Sequence, residues 1–302
     1  MMKITDMMQN PDIVEMKQES LYALSKEKHI QQFLKENHLN PSIMDENWVE
    51  FLDYNDDYHL CAGCQSLKDC PKDNKGMKKN LVYRDHEIHI EMSSCIYGKE
   101  LERKRDLLEK FVITNVTDQI LLTDLNELEM VHNIKELPKN NQAAITYILK
   151  YIANPTNKGL FLHGKMGTGK TTLLAGLMNS LAKKGKEVGF IHFPTYLIDL
   201  KSSFSTGESE YAIERLMKVD YLLLDSIGEE NVTSWSRDEI LLTILSYRLL
   251  NQLPTFFTSM YGYNDLKKVY TTKKSDEIRA NTITSKMKAL SIEIMLDEMN
   301  LK

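Results

Sequence analysis

The chain has no apolar run approaching the ~20 residues that a membrane span requires, and its N-terminus lacks a secretory pattern. Neither a membrane protein nor an exported one is expected, which leaves the cytoplasm. It has no cysteine outside residues 61–95, and only four there, so a disulfide framework holding the whole chain together is excluded. It also has no basic excess: the formal net charge is −5, which offers no bulk electrostatic reason to expect nucleic acid.

What is present is the composition of a soluble globular protein, 42% hydrophobic and 27% charged over 302 residues. That length suits two domains, because single cores stop growing at about 250–300 residues. Charge is unevenly shared. Residues 1–150 hold 19 Lys and Arg against 26 Asp and Glu, and the remainder hold 19 against 17. An acidic first half points to a protein partner more than to DNA.

The most specific stretch is Gly164-Lys165-Met166-Gly167-Thr168-Gly169-Lys170-Thr171, which fits the phosphate-loop pattern G-x-x-x-x-G-K-[ST]. Glycines let such a loop curl until its N–H groups face a phosphate, and the helix that follows adds its positive end. Gly164, Gly167, Thr168, Gly169, Lys170, Thr171 and Thr172 are therefore expected to bind ATP, with Lys170 on the β- and γ-phosphates and the Thr171 hydroxyl on Mg²⁺. The flanks agree: Gly159–His163 reads as a buried strand, and Thr171–Lys184 as a helix with apolar residues at helical spacing.

Further strands are expected at 187–193, at 220–225, at Thr255–Ser259 and at 292–296, with helices between them, which gives a parallel helix-covered sheet. Asp225 ends one of these strands 55 positions past Lys170. There it would share the Mg²⁺ with Thr171 and, together with Lys170, form the catalytic pair.

In the first half, residues 10–54 alternate helical patterns with turn signals, and Asn40-Pro41 opens one of the helices. Cys61-Ala62-Gly63-Cys64, Cys70 and Cys95 have the character of a structural zinc site, with His86 or His89 as an alternative fourth ligand. Between the cysteines, 81–83 and 87–92 read as a small hairpin. Residues 99–111 read as a charged exposed helix, and 140–152 as a helix leading into the nucleotide domain.

The cysteine cluster, the loop GLFLHGKMGTGKTT, the segment YLLLDSIGEENVTSWSRDE and LPTFFTS together resemble the DnaI family of bacterial primosomal proteins, which load the replicative helicase. The resemblance spans nearly the whole chain. It implies an α/β AAA+ P-loop domain with a parallel sheet and flanking helices at 136–302, a linker at 106–135, and a smaller helical and zinc-binding domain at 1–105. The implied partners are a hexameric helicase for the first domain, single-stranded DNA for the second, other primosome proteins, and further copies of the chain in a nucleotide-dependent assembly.

On the DNA side the residues expected to take part are Lys201 and Phe204, with Lys183, Lys184 and Lys186 nearby. The chain departs from the family at Ser226, where an acidic residue is expected, and at Met260, where a sensor asparagine is expected. Thr282 and Lys286 stand roughly where arginines would. All bear on turnover more than on binding, so ATP binding without brisk hydrolysis is expected. Glu229 or Glu230 could replace the base, and Arg237 or Arg279 could act across a subunit boundary. The rival readings are a catalytically silent scaffold and a transposition helper ATPase.

Overall fold

The computed structural model describes residues 11–202 and 208–298. The chain divides into two compact units between Arg103 and Lys104.

The first unit packs three helices and a hairpin around one small core. Helices α1 (Pro11–Lys26), α2 (Lys28–Glu36) and α3 (Trp48–Cys61), with the short helical turn Ile43–Glu46 before α3, bury Leu24, Ile30, Leu34, Met44 and Phe51 against Leu81 and Ile88. Those last two belong to strands β1 (Met77–Arg84) and β2 (Glu87–Ser94), paired antiparallel from Met77↔Ser94 at the base to Arg84↔Glu87 at the tip. The two turn residues, Asp85 and His86, both have positive φ (55° and 69°), the backbone that matches strand twist in a two-residue hairpin. A buried ion pair fastens helix to hairpin: Lys72 Nζ lies 2.7 Å from Asp57 Oδ1, and the Lys79 N–H donates to Asp57 Oδ2 at 2.9 Å. Trp48 packs against this core. Helix α4 (Ile96–Leu108) follows.

The second unit is built on a six-stranded sheet in the order β3-β5-β6-β7-β4-β8, in which every pair is parallel. The strands are β3 (Phe111–Thr114), β4 (Gly159–His163), β5 (Val188–His192), β6 (Tyr221–Asp225), β7 (Thr255–Ser259) and β8 (Ser291–Met295). Central strands β6 and β7 are buried at all five positions, which is why they read as continuous apolar runs.

On one face lie α5 (Lys139–Ala153) and α6 (Lys170–Lys183), whose Ile145, Ile148, Leu174 and Leu177 meet Leu160, Leu162 and Leu223. The other face carries α7 (Phe193–Ser202), α8 (Glu208–Lys218), a π-helical turn at Trp235–Leu241, α9 (Leu242–Leu250), α10 (Tyr263–Tyr270) and α11 (Glu277–Leu290). Its core joins Leu222, Leu224 and Phe257 to Leu245, Leu266 and Ile283, with Trp235 packed alongside.

The stretch expected as a linker, 106–135, carries regular structure of its own. Phe111–Thr114 pairs with β5 as the edge strand, and Leu121 and Leu125 are buried in the core with α6. A four-residue strand is too short to show a period of its own.

Candidate nucleotide site

All six strands run parallel, so their carboxyl ends share one edge of the sheet, where ligands of open α/β folds bind. The loop after β4 lies on that edge. Gly164 has φ 137°, and a Cβ there would fall 2.5 Å from the Leu296 carbonyl, so only glycine lets β4 turn while the chain beyond β8 passes this close. Gly167 and Gly169 follow with φ of 83° and 84°, and Gly169 leads directly into α6. The sequence thus builds a ring of backbone N–H groups capped by a helix N-terminus.

Lys170 is buried at 9% exposure, and its ammonium donates to the carbonyls of Gly164 (2.8 Å) and Lys165 (2.7 Å). Burial holds its pKa below the ordinary lysine value, against an upward pull from Glu229 and Asp225. Across the loop, Thr171 Oγ1 donates to Asp225 Oδ1 at 2.7 Å. These two oxygen-bearing groups, 54 positions apart, are of the donor type that would hold a magnesium ion. Thr258 donates to the same carboxylate oxygen at 2.7 Å and accepts the Ser226 N–H at 2.8 Å. The end of β7 therefore orients the aspartate at the end of β6. The Thr172 side chain is half-buried on the first turn of α6, and Thr168 Oγ1 caps the Lys165 carbonyl at 3.0 Å.

The residues named as departures or replacements have distinct surroundings. Ser226 takes a left-handed φ of 62°, and its hydroxyl lies 3.4 Å from Asp225 Oδ2. Glu230 is 8% exposed and accepts from Tyr270 Oη (2.8 Å) and the Gly228 N–H (2.7 Å), so it braces the turn and does not face the loop. Arg237 is 3% exposed, bound to Asp238, Asp276 and the Tyr270 carbonyl; it is a strut inside its own subunit and cannot reach a neighbour. Arg279 is exposed on α11, and Met260 is 43% exposed beside the loop. A cleft of about 700 Å³, bordered by His163, Gly164, Lys165 and Met260, opens there.

Sequence reasoning missed Thr258, whose signal was its place at the end of a buried strand, and Arg248. The Arg248 side chain is fully buried and bonds the carbonyls of Leu216, Val219 and Pro254 (3.1, 2.8 and 2.7 Å) and Thr255 Oγ1 (2.9 Å), tying the starts of β6 and β7 together.

Of the basic residues suggested for DNA, Lys201 is exposed with its ammonium 5.2 Å from the Trp235 ring centroid. Phe204 lies outside the described residues. Lys183 is paired with Asp124 (2.6 Å), and Lys184 with the Ile152 carbonyl.

The four thiols of the first unit are partly buried. Cys64 interacts with Cys70 and Cys95, N–H groups of Lys72 and Gly76 point at the Cys70 sulfur, and Cys61 lies beside Lys72. The donor chemistry suits zinc, but among the described residues no three His, Cys, Asp or Glu side chains converge as a closed cage. His86 stands at the hairpin tip and His89 pairs with Val82 along the ladder, both away from the hairpin base that Cys95 follows.

A glycine loop between a buried strand and a helix, faced by a threonine and a strand-end aspartate, defines an α/β P-loop protein. Comparison with known proteins agrees. The chain belongs to the family of IstB-like ATP binding proteins, whose model matches residues 111–289. Residues 1–92 match the model of the primosomal protein DnaI N-terminus.

Over 303 residues the chain is 26% identical to the replicative helicase loader DnaI of Bacillus subtilis (strain 168), covering 96% of this chain and 94% of that protein. The crystal structure of DnaI superposes with a TM-score of 0.55 at 29% identity, over 61% of this chain and 97% of that one. A putative primosome component of Streptococcus pyogenes serotype M3 gives a TM-score of 0.53 at 29% identity, over 65% and 98%.

Proposed function

We propose that this protein is a loader of a replicative hexameric helicase, in which the first unit grips the helicase and the ATP state of the second sets how copies assemble and hold single-stranded DNA. The observation that carries the reading is the pairing of two matches in one chain: a DnaI N-terminus at 1–92 and an ATP-binding domain at 111–289. A transposition helper would need only the second. The likeness to the B. subtilis loader also runs through both units.

In this reading the loop Gly164–Gly169, Lys170, Thr171 and Thr172 hold the triphosphate, and Thr171 with Asp225 hold Mg²⁺. The cleft beside the loop gives room for the rest of the nucleotide. ATP acts by differential contact. A terminal phosphate present in one state and absent in the other biases two arrangements only through the contacts it gains. Lys201 meets DNA phosphates and Phe204 offers a stacking face. Four thiolates, of Cys61, Cys64, Cys70 and Cys95, hold zinc in the first unit, where the core is small and a metal adds folding free energy. Exposed Val49, Leu60, Ile96 and Leu101 on that unit are apolar surface of the kind a protein partner covers. The protein acts in the cytoplasm.

The test is copurification of the tagged full chain with the hexameric helicase of its own host, with and without ATP. Retention of the helicase, lost when residues 1–103 are deleted, is the expected result. No retention under any nucleotide condition, with ATP binding intact, would favour the transposition helper ATPase.

A further inference from the structure

Three side chains with oxygen atoms follow Asp225 in the turn after β6, and the structure treats each differently. Ser226 is a hydroxyl, which cannot take a proton at neutral pH. Glu230 is bound on both carboxylate oxygens by Tyr270 and Gly228. Glu229 remains. Left-handed Ser226 (φ 62°) and Gly228 (φ 89°) reverse the chain, and the Glu229 N–H closes the turn on the Ser226 carbonyl at 3.3 Å. The reversal brings residue 229 back to the end of the strand it has just left.

There the Glu229 side chain is exposed at the mouth of the site, and its charge interacts with those of Asp225, His192 and Lys170. His192 is the register partner of Asp225 on β5. Its backbone N–H is held by Asn115 Oδ1 (2.8 Å) and its Nδ1 lies 2.9 Å from Thr195 Oγ1.

Building on the ATP-binding reading above, we infer that Glu229 is the catalytic base for ATP hydrolysis, carried back by the turn to do what position 226 cannot. Glu229 accepts a proton from the water whose oxygen bonds to the terminal phosphorus; the bond from that phosphorus to its bridging oxygen breaks, and the electron pair leaves with the diphosphate. Burial first, then the neighbouring Asp225 charge, raises the carboxyl above the ordinary glutamate value, against a pull from His192 and Lys170. A raised pKa makes it the stronger base.

The experiment uses the full chain with Mg²⁺, helicase and single-stranded DNA, measuring phosphate release together with affinities for fluorescent ATP and ADP. Glu229→Gln is expected to lower release by about 100-fold, the usual contribution of a positioned base. It should also tighten ATP binding by roughly two- to tenfold, because a like charge near the terminal phosphate is gone, and leave ADP binding unchanged. Adding Ser226→Asp to that variant should restore part of the turnover. Wild-type release by Glu229→Gln, or no release by the wild type under these conditions, would overturn the inference while leaving the ATP-gated loader intact. Wild-type protein that binds neither nucleotide would instead overturn the reading on which the inference rests.

Discussion

Lys170→Met separates what the site does for the ligand from what it does for the fold. Methionine keeps most of the hydrocarbon stem and removes the ammonium, so packing on the first turn of α6 is preserved. Charge-assisted hydrogen bonds contribute about 1.5–3 kcal/mol each. Two such bonds to phosphate oxygens are lost, but the bound state no longer has to give up the existing bonds to Gly164 and Lys165, at 2.8 and 2.7 Å. A net loss of about 3 kcal/mol corresponds to roughly 100-fold weaker ATP binding.

Stability should move the other way. Burial depresses the folded pKa of Lys170 below its unfolded value, so below the folded value the charged lysine costs stability, and the cost is relieved as pH rises toward the unfolded value. Removing the charge at pH 7 should leave the urea midpoint equal or higher. The assays are fluorescent-ATP titration and urea unfolding followed by circular dichroism. Unchanged ATP affinity, or a variant clearly less stable than wild type, would refute the reasoning.

Arg248→Leu should destabilise the second unit by about 3–5 kcal/mol, because several buried carbonyls and Thr255 lose their donor at once; a midpoint within error of wild type would contradict this. Arg248 is driven down to about 9 by burial, which leaves it charged at neutral pH, so that cost should not vary between pH 6 and 8 in urea titrations. The Arg237 guanidinium holds Asp276 down to about 2. Its stabilising effect is therefore complete above the unfolded value of about 3.9 and lost as pH falls through the folded one. Wild type should exceed Asp276→Asn in urea midpoint at pH 5, with the gap closing below pH 4. Elemental analysis of the purified chain should find about one zinc per molecule, reduced by Cys70→Ser or Cys64→Ser; absence of metal from protein prepared without chelator would remove zinc from the proposal.

The strands nearest the glycine loop were the easiest to read in the sequence, for a physical reason. Gly159–His163 and Thr255–Ser259 are buried on both faces, so their apolar runs stand out between turn signals, and the structure places them at those residues. Strand β3 was hidden because it is an edge of four residues, and Phe111 had been absorbed into the charged helix before it. A helix was expected between the strands at 220–225 and Thr255–Ser259 and forms there, but it opens as a π-helix over Trp235–Leu241, a change of hydrogen-bond register that leaves apolar spacing almost untouched. Which of Glu229 and Glu230 faces the loop could not be read from the letters, since adjacent residues of the same type differ only in what the turn does with them. Arg248 was illegible for a related reason: its acceptors are backbone carbonyls, which leave no mark in a sequence.

The chain carries two tryptophans, Trp48 against the core of the first unit and Trp235 against a core of the second. Each unit thus has its own fluorophore. Trp48→Phe leaves an emission that reports only the ATP-binding unit, with the Lys201 ammonium over the indole face as a nearby perturbing charge. Trp235→Phe leaves one that reports only the first unit, including any melting that follows chelation. Whether the two units unfold together or in sequence can be read from two emission curves on the intact chain, without dissecting it.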